Sequence, residues 1–512
     1  MKFEITTPES LGICSGSILE FMKRMEEASI ELHSISVLRH GKMCAIGAMK
    51  PYDLSVPHIM FSFSKTLTAT GIGFAVQEGI LKLTDKLIDI FPEYAPENPS
   101  ENLKKADLYS LLTMSCGHET EIPIGTEGPD WIRSFMHHPF VYEPGTMFLY
   151  NTAGTNMLAA ALKKRTGLEI TEYLKPRLFE PLGMSDVQGL KLPDGTVWGG
   201  SGMFLTTMDQ ALFGQFLLQR GKWEGKQLLN DAWFDQATVK QIETSNKLNP
   251  SQTLNWAQGY CFQCWRNCAE GVYRCDGAYG QFAFICPKQD AVVTITSASE
   301  TTEYLVEAFE DTILKSMQEE AYPENPAFQQ KLSEKLENAS LPALWGARSP
   351  QAEQAVNGVC YHIANRGMEG EAPSFEAFIG GGGAEDIYGN ALKTLQFMFE
   401  KDRLILKVEG ADQTYELALG LGGEILQTPV QFNGTYGVTD TIIGGSARFE
   451  NAKKLTLELR NIRCVTGARI TLRFTGTEPG REYDSFTMLR RPTLCIDSAL
   501  HDTKYFLIKM EK

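Results

Sequence analysis

The sequence lacks the features that would place it in a membrane, outside the cell or on nucleic acid. No apolar run reaches the ~18 residues of a membrane-spanning helix. The stretch MKFEITTPESLGICSGS has neither the apolar core nor the cleavage site of a secretion signal. The net charge of −15 disfavours nucleic acid and anionic membranes as partners. We therefore expect a cytoplasmic protein with no membrane or nucleic-acid partner, and the oligomeric state stays open.

The sequence also lacks a recognisable metal or disulfide framework. Its 11 cysteines are an odd number scattered over 512 residues, which is typical of reduced thiols. Five lie close together, but no histidine accompanies them and their spacing matches no zinc knuckle. A strand predicted over 259–265 would point two of them to opposite faces. We expect buried apolar thiols, no metal and no cofactor; the five are Cys261, Cys264, Cys268, Cys275 and Cys286.

The first part of the chain mixes helical and strand patterns. An amphipathic helix is predicted over 15–31, capped by Ser15 or Ser17, and a hairpin turns at His40-Gly41. The apolar face of that helix carries Ile18, Leu19, Met22 and Met25. Helical patterns dominate from about 80 to 260, before two strand-like runs at 280–286 and 291–297. This order predicts an antiparallel sheet flanked by helices, with an inserted helical region.

The composition changes after residue 318. An acidic, proline-broken stretch and a polar helix predict a linker over 319–349, between a domain at 1–318 and another at 350–512. Alternating apolar residues beyond 350 predict an antiparallel β-barrel or sandwich. We expect it to be a structural or cleft-narrowing module, because no chemical constellation is visible there. Residues 380–383 predict a loop, and the Tyr-x-Asn at Tyr388-Gly-Asn390 is interpreted as a coincidence.

One short motif indicates chemistry. Ser62 and Lys65 form the chain's only Ser-x-x-Lys, at the start of a predicted helix. Side chains three residues apart share a helix face, so the lysine lies beside the hydroxyl. A serine hydroxyl needs an adjacent base to become a nucleophile, and a neutral lysine can serve. The alternative is a surface lysine one turn from a capping serine.

Two later segments add candidate site residues. In Glu143-Pro-Gly-Thr-Met-Phe-Leu-Tyr150-Asn-Thr152, a Pro-Gly turn and a predicted short strand present a phenol before a helix. Such a phenol can relay a proton, or it can be a satisfied core tyrosine. In Tyr273-Arg-Cys-Asp276-Gly277-Ala278-Tyr-Gly-Gln281, small residues would let a substrate approach the strand edge. A backbone N–H there could complete an oxyanion hole.

These segments, in this order, resemble the serine β-lactamase and penicillin-binding-protein superfamily. The resemblance covers about residues 10–312 and is strongest to the class C-like branch of serine hydrolases, esterases and D-amino-acid peptidases. Residues 111–117 (LLTMSCG) and 199–215 resemble further landmarks of that superfamily. The implied fold is α+β, a β-lactamase/transpeptidase-like domain followed here by the barrel.

The resemblance also implies roles for individual residues. Ser62 would be the nucleophile, Lys65 its general base and Tyr150 a proton shuttle. The N–H groups of Ser62 and Ala278 would form the oxyanion hole. The matching positions imply substrate binding by Thr152, Asp276 and Gly277.

Two departures from the superfamily pattern bear on the substrate. Thr152 stands where the motif has asparagine. Cys275-Asp276-Gly277 stands where the superfamily has Lys-Thr-Gly or His-x-Gly, so the motif lacks the cation that helps to hold a substrate carboxylate. No class A glutamate motif is recognisable. An aspartate would repel a carboxylate and favour an ammonium or a neutral group. These departures argue against β-lactamase activity more than against hydrolysis.

A conventional Ser-His-Asp enzyme is the less favoured alternative. No serine lies in a Gly-x-Ser-x-Gly elbow, although His118, His137 or His138 would be available as a base. The sequence therefore predicts a serine hydrolase that cleaves a small ester or amide through an acyl-enzyme on Ser62. β-Lactamase or D-amino-acid peptidase activity of the same site is the alternative. A catalytically silent binding protein is the alternative from another class.

Overall fold

The computed structural model describes residues 3–122, 130–250, 252–364, 375, 392–410, 413–431, 440–474, 484–491 and 504–509. The chain forms two compact units. The first runs to Ala48 and from Pro57 to Ala339; the second holds Met49–Val56 and most of the chain from Ser340. The boundaries at 318 and 349 stay predictions. Residues 380–383 and 388–390 lie outside the described residues.

The first unit is built on a six-stranded antiparallel sheet. Its spatial order is β2-β1-β10-β9-β8-β7. The strands are β1 (Glu31–Arg39), β2 (Lys42–Ala48), β7 (Trp265–Arg266), β8 (Tyr273–Gly277), β9 (Gln281–Cys286) and β10 (Ala291–Ala298). Four short strands pair in twos outside this sheet: β3 (His58–Ile59) with β4 (Phe204–Leu205), and β5 (Lys222–Trp223) with β6 (Lys226–Gln227). The predicted hairpin at residues 40–41 and both predicted strands after 280 are confirmed.

Helices flank the sheet and fill the insertion between β2 and β7. They are α1 (Ser15–Glu27), α2 (Ser64–Gln77), α3 (Leu87–Ile90), α4 (Glu101–Lys105), α5 (Leu108–Leu112), α6 (Trp131–His137), α7 (Thr152–Thr166), α8 (Ile170–Leu174), α9 (Glu180–Leu182), α10 (Thr207–Leu218), α11 (Asp231–Ala237), α12 (Thr302–Asp311) and α13 (Pro326–Asn338). Single 3-10 turns lie at Glu9–Leu11, Phe61–Phe63, Pro92–Tyr94, Leu254–Trp256, Pro287–Gln289 and Leu314–Ser316, and a π-helical turn at Lys175–Phe179.

The helix after Ser62 lies at the centre of the first unit. Every residue of α2 from Ser64 to Ala75 is buried, which is expected of a helix that is apolar on all sides. It packs against α7, α8 and the end of β8. A Cβ on Gly73 would lie 2.8 Å from the Trp233 ring, so only glycine fits there. The helix that directly follows Ser62 is thereby fixed on all sides.

The second unit is a curled antiparallel sheet with one helix, α14 (Pro350–Val356). Its order is β14-β13-β12-β11-β20-β19-β18-β17-β16-β15, and β14 also pairs with β16. This pairing joins strands from opposite ends of the sheet, as in a barrel. The strands are β11 (Cys360–Ala364), β12 (Thr394–Phe399), β13 (Arg403–Glu409), β14 (Thr414–Leu421), β15 (Leu426–Gln431), β16 (Asp440–Asn451), β17 (Lys454–Asn461), β18 (Gly467–Arg473), β19 (Asp484–Arg491) and β20 (Lys504–Lys509).

The first helix is shorter than predicted. It ends at Glu27, and Cys14 rather than a serine precedes its first residue, without a side-chain cap. Its buried face includes Phe21, whereas Leu19 is only partly buried. Ile18, Met22 and Met25 are buried as predicted, so the only errors on this face are the inclusion of Leu19 and the omission of Phe21.

The strand predicted over 259–265 is wrong. The chain bends there, and the Cys261 N–H donates to the Cys264 carbonyl at 2.9 Å. Gln263, at φ +59°, directs its side-chain amide to the last carbonyls of α5, two bonds of 3.0 Å. These long-range bonds hold the bend, which the apolar pattern of the segment does not reveal. Four of the five clustered cysteines are buried, but Cys268 is exposed, which corrects that expectation.

The strand predicted before Tyr150 is also wrong. Residues 148–151 are extended but belong to no ladder of strands. The Leu149 N–H donates to the Met114 carbonyl at 2.9 Å, which fixes the segment to the end of the α5 region. An extended chain held by single bonds gives the same alternation of side chains as a strand.

Candidate active site

Ser62 lies in the 3-10 turn Phe61–Phe63 that leads directly into α2. The turn follows β3, and the Met60 N–H donates to the Met203 carbonyl at 2.8 Å. Phe61 has a positive φ of 45°, an uncommon conformation for a bulky residue. Such strain is concentrated at functional sites, where surrounding contacts maintain it. Ser62 therefore has a fixed position at the junction of a strand and a buried helix.

Lys65 lies one turn after Ser62 and is 1% exposed. Its Nζ is 3.0 Å from Ser62 Oγ, 3.2 Å from Thr152 Oγ1 and 2.7 Å from the Gly200 carbonyl oxygen. A neutral amine has two N–H donors and one lone pair. The Gly200 carbonyl can only accept, whereas a hydroxyl can also donate. The neutral state is therefore satisfied when Ser62 Oγ–H donates to the lone pair.

Burial lowers the pKa of Lys65 from its ordinary 10.5 to about 7. The carboxylates of Glu121 and Asp276 act in the opposite direction and favour the ammonium. Desolvation is the larger cause, because three neutral oxygens replace the water shell of the charge. A large part of the Lys65 population is then neutral near neutral pH.

The glycine-rich passage at 199–203 supplies the third oxygen. The Gly200 N–H donates to Asn156 Oδ1 at 2.9 Å, which orients the carbonyl towards Lys65. A Cβ on Gly200 would lie 2.9 Å from Thr152 Cγ2, so the close approach requires a glycine. This passage therefore contacts the lysine directly.

Tyr150 covers the lysine. The Lys65 Nζ lies 4.9 Å from the centroid of the Tyr150 ring. The ring stacks on Trp265 with centroids 5.6 Å apart, within an aromatic cluster that also holds Phe148 and Tyr260. Burial raises the pKa of Tyr150 far above its ordinary 10, although a hydrogen bond with Ser62 favours the phenolate. The phenol therefore keeps its proton at neutral pH.

Thr152 begins α7 next to the lysine. Asn151 caps the helix by accepting the Gly154 N–H on Oδ1 at 3.2 Å. The amide of Asn151 in turn donates to His118 Nδ1 at 3.1 Å. His118 is buried, and burial lowers its pKa to about 3. It is a neutral support of the Asn151 loop, so the geometry does not favour it as the base of Ser62.

Glu121 is a site residue that the sequence did not reveal. Its Oε1 accepts the Thr152 N–H at 3.1 Å, at the start of α7. Thr152 thus connects this carboxylate to Lys65 through its own hydroxyl. A glutamate 31 residues from its partner, in a segment without a motif, carries no local signal.

The end of β8 carries a buried ion pair next to the candidate site. Arg274 Nε donates to Asp276 Oδ2 at 2.9 Å, with both side chains on the same face of the strand. Arg274 is completely buried and Asp276 is 11% exposed. The Arg274 guanidinium also lies 4.3 Å from the centroid of the Trp256 ring. Burial raises the pKa of Asp276, while Arg274 opposes this rise.

The predicted oxyanion position lies beside the Ser62 turn. A Cβ on Gly277 would lie 2.2 Å from the Met60 carbonyl oxygen, so β8 and the turn touch through their backbones. Ala278 follows and is exposed, and its carbonyl accepts from Gln281 Nε2 at 2.9 Å. The rings of Phe61 and Tyr279 meet edge to face at 5.6 Å. The structure therefore brings both predicted oxyanion residues to one place.

The described residues contain neither a metal-binding cluster nor a membrane-spanning helix. In the part of the chain that the structure describes, no three histidine, cysteine or acidic side chains gather as a metal site would require. Across the same residues, no helix is long and apolar enough to span a bilayer.

The chain is similar to several known proteins. A family model described as Beta-lactamase matches residues 21–316. A 6-aminohexanoate-dimer hydrolase from Paenarthrobacter ureafaciens is 24% identical over 302 residues, 54% of this chain and 74% of that protein. A lovastatin esterase from Penicillium rubens is 26% identical over 167 residues, 28% of this chain and 42% of that protein.

A solved penicillin-binding-protein homologue from Pyrococcus abyssi has a TM-score of 0.48 and 14% identity, over 96% of this chain and 99% of that one. The chain spans less than half the length of several curated relatives that it matches, among them a beta-lactamase from Yersinia enterocolitica at 42%.

Proposed function

This chain belongs to the beta-lactamase family, and from that premise we propose that it is a serine hydrolase. It cleaves a small ester or amide through an acyl-enzyme on Ser62, with Lys65 as the general base. The observation that carries the proposal is the 3.0 Å contact between Lys65 Nζ and Ser62 Oγ, in a lysine whose pKa is about 7. A base is most effective when its pKa lies near the working pH.

Acylation begins at the hydroxyl of Ser62. Neutral Lys65 accepts the proton from Ser62 Oγ as the oxygen attacks the substrate carbonyl carbon. The ammonium that forms keeps three acceptors, since Ser62, Thr152 and Gly200 all present oxygen to Nζ. No reorganisation is needed when the lysine gains its charge, which lowers the barrier.

Tyr150 passes a proton to the leaving group. Its high pKa keeps the phenol protonated, and its contact with Ser62 places it at the reacting bonds. The leaving oxygen or nitrogen takes the phenolic proton, and Lys65 restores it to Tyr150. The N–H groups of Ser62 and Ala278 stabilise the oxyanion, and water then attacks the acyl-enzyme with the same pair as base.

The substrate is a small carbonyl compound without a carboxylate next to the scissile bond. Asp276 and Gly277 lie at the end of β8, and Thr152 lies opposite at the start of α7. The buried Arg274 is bound to Asp276, so among the residues described at the end of β8 no free cation is left to hold the carboxylate of a β-lactam. An esterase or amidase therefore fits better than a β-lactamase, and D-amino-acid peptidase activity is the second candidate.

A fluorophosphonate probe tests the nucleophile. The wild type should be labelled in a single position that peptide mapping assigns to Ser62, and Ser62→Ala should not be labelled. Ser64→Ala is the matched control, because that hydroxyl accepts the Met203 N–H at 3.0 Å and should not react. Equal labelling of Ser62→Ala and the wild type would contradict the proposal.

A substrate panel then separates the candidates. Nitrophenyl esters, D-amino-acid anilides and a chromogenic cephalosporin report esterase, peptidase and β-lactamase activity. We expect esters to turn over fastest and the cephalosporin slowest. If the protein is not labelled by the probe and hydrolyses none of these substrates, the result supports the alternative that it is a binding protein without catalytic activity.

A further inference from the structure

The carboxylate of Glu121 lies at the start of α7, beside the candidate site. Its Oε1 is bound to the Thr152 N–H, and the hydroxyl of the same Thr152 contacts Lys65. Glu121 is exposed, in contrast to the buried lysine. Within the described residues, no hydrogen bond or ion pair engages its second oxygen. The start of α7 holds the carboxylate in place, and that oxygen is available to a ligand.

The charges around Glu121 leave its negative charge uncompensated. Of the two cations described at the site, Arg274 is completely buried against Asp276. Lys65 is buried, and its pKa of about 7 leaves much of it neutral at physiological pH. Both Glu121 and Asp276 favour the charged form of Lys65, although desolvation outweighs them and the pKa is lowered. A ligand bound at Ser62 therefore meets a negative potential on the Thr152 side.

We propose that Glu121 is a specificity-determining residue of the Ser62 site, which selects substrates that carry an alkylammonium group. The inference rests on the proposed hydrolase function and names its substrate class. An ammonium can donate to the free oxygen of Glu121, a charge-assisted hydrogen bond. The negative charge of Glu121 would repel a substrate carboxylate in the same place, so the same residue also selects against substrates that carry one.

Matched esters test the inference. One pair shares an acyl chain that ends in an ammonium or in a methyl group, and a second pair carries the same difference in the alcohol. The ratio of kcat/KM for the charged and neutral members reports the selection, and the two pairs show which half of the substrate reaches Glu121. The wild type should favour a charged member by about fivefold to tenfold, as for a charged contact at a partly exposed site.

Glu121→Gln should bring that ratio close to one, because the amide oxygen can still accept the Thr152 N–H while the charge is gone. Both members of a pair use the same Lys65, so any change in the base cancels in the ratio. Glu119→Gln is the matched control: it removes an equal charge two residues away, from a carboxylate that accepts the Tyr142 hydroxyl at 2.7 Å. It should leave the ratio unchanged.

Binding provides a readout that does not require turnover. Calorimetry on Ser62→Ala with the corresponding ammonium and methyl-terminated carboxamides should show the same preference, lost when Glu121→Gln is added. If this preference is found without any hydrolysis, the proposed function fails and the inference about Glu121 stands. If neutral esters are hydrolysed and neither ratio nor affinity depends on Glu121, the inference is overturned and the hydrolase stands.

Discussion

Replacing Lys65 with methionine should change the pH dependence of stability by a predictable amount. In the folded protein, burial lowers the pKa of this lysine from 10.5 to about 7. Each pKa unit corresponds to 1.36 kcal/mol, so the charged lysine costs the fold about 5 kcal/mol, an order-of-magnitude value. Between pH 7 and 10.5 the unfolded chain holds a proton that the folded chain has released.

The sign follows from that proton. Because the unfolded state binds one more proton than the folded state over this window, each rise in pH disfavours the unfolded state and the free energy of unfolding of the wild type increases. Below about pH 7 both states are protonated and the cost is full and constant. Lys65→Met has no such cost at any pH. Its advantage over the wild type should therefore shrink by about 2–3 kcal/mol between pH 7.5 and 9.5.

The hydrogen bonds lost with Lys65 do not obscure the test. The substitution removes the lysine from the Gly200 carbonyl and from the Thr152 hydroxyl. Each of these groups left without its hydrogen bond costs about 1–3 kcal/mol. That cost shifts the whole comparison by a constant and leaves its pH dependence intact. The difference between pH values is therefore the quantity to measure.

Urea unfolding followed by tryptophan fluorescence is the assay. Six of the seven tryptophans lie in the first unit, with only Trp345 in the second, so the signal follows the unit that contains Lys65. Lys23→Met is the control, because that lysine is 61% exposed. A difference between wild type and Lys65→Met that stays flat from pH 7.5 to 9.5 would refute the reasoning, since Lys65 would then titrate as an ordinary lysine.

Further outcomes follow from the same geometry. Ser62→Ala and Lys65→Ala should each lower kcat/KM by a similar, large factor, and the double variant should lower it hardly further. The reason is that the two side chains act together in the same step, so their effects are not additive. The acylation rate, measured in single turnovers, should fall as the pH drops through about 7 and Lys65 gains its proton. Glu121→Gln should move that midpoint to lower pH, because the carboxylate raises the lysine pKa. Tyr150→Phe should slow a nitrophenyl ester less than an anilide, whose nitrogen needs the proton to leave. His118→Ala should lower the unfolding temperature while the rate keeps its pH midpoint, and a lost midpoint would instead assign the histidine to the chemistry.

The parts of the site that could be predicted are those whose geometry is local. Ser62 and Lys65 are three residues apart, so the start of a helix was enough to bring their side chains together. The hairpin at residues 40–41 and the strands of the second unit followed from alternation and turn residues. Both kinds of inference depend only on neighbouring residues.

The missed parts depend on distant contacts. Gly200 reaches Lys65 across 135 residues, and Gln263 binds α5 across about 150. Glu121 and Arg274 have partners that no spacing rule links to Ser62. The prediction of a strand over 259–265 was wrong for the same reason. Its apolar residues fit a strand, and only the long-range side-chain bonds of Gln263 hold the bend instead.

The pairing of Arg274 with Asp276 also constrains how this site can evolve. A substitution that removes the carboxylate of Asp276 leaves Arg274 buried without its partner, and Asp276→Lys would also add a second positive charge beside it. Breaking a buried ion pair from one side costs about 3–5 kcal/mol, a large fraction of the stability of a typical domain. Replacing Arg274 first would instead leave the carboxylate of Asp276 without its cationic partner. Each single substitution therefore costs folding stability, so we expect the two residues to change together where this site changes at all.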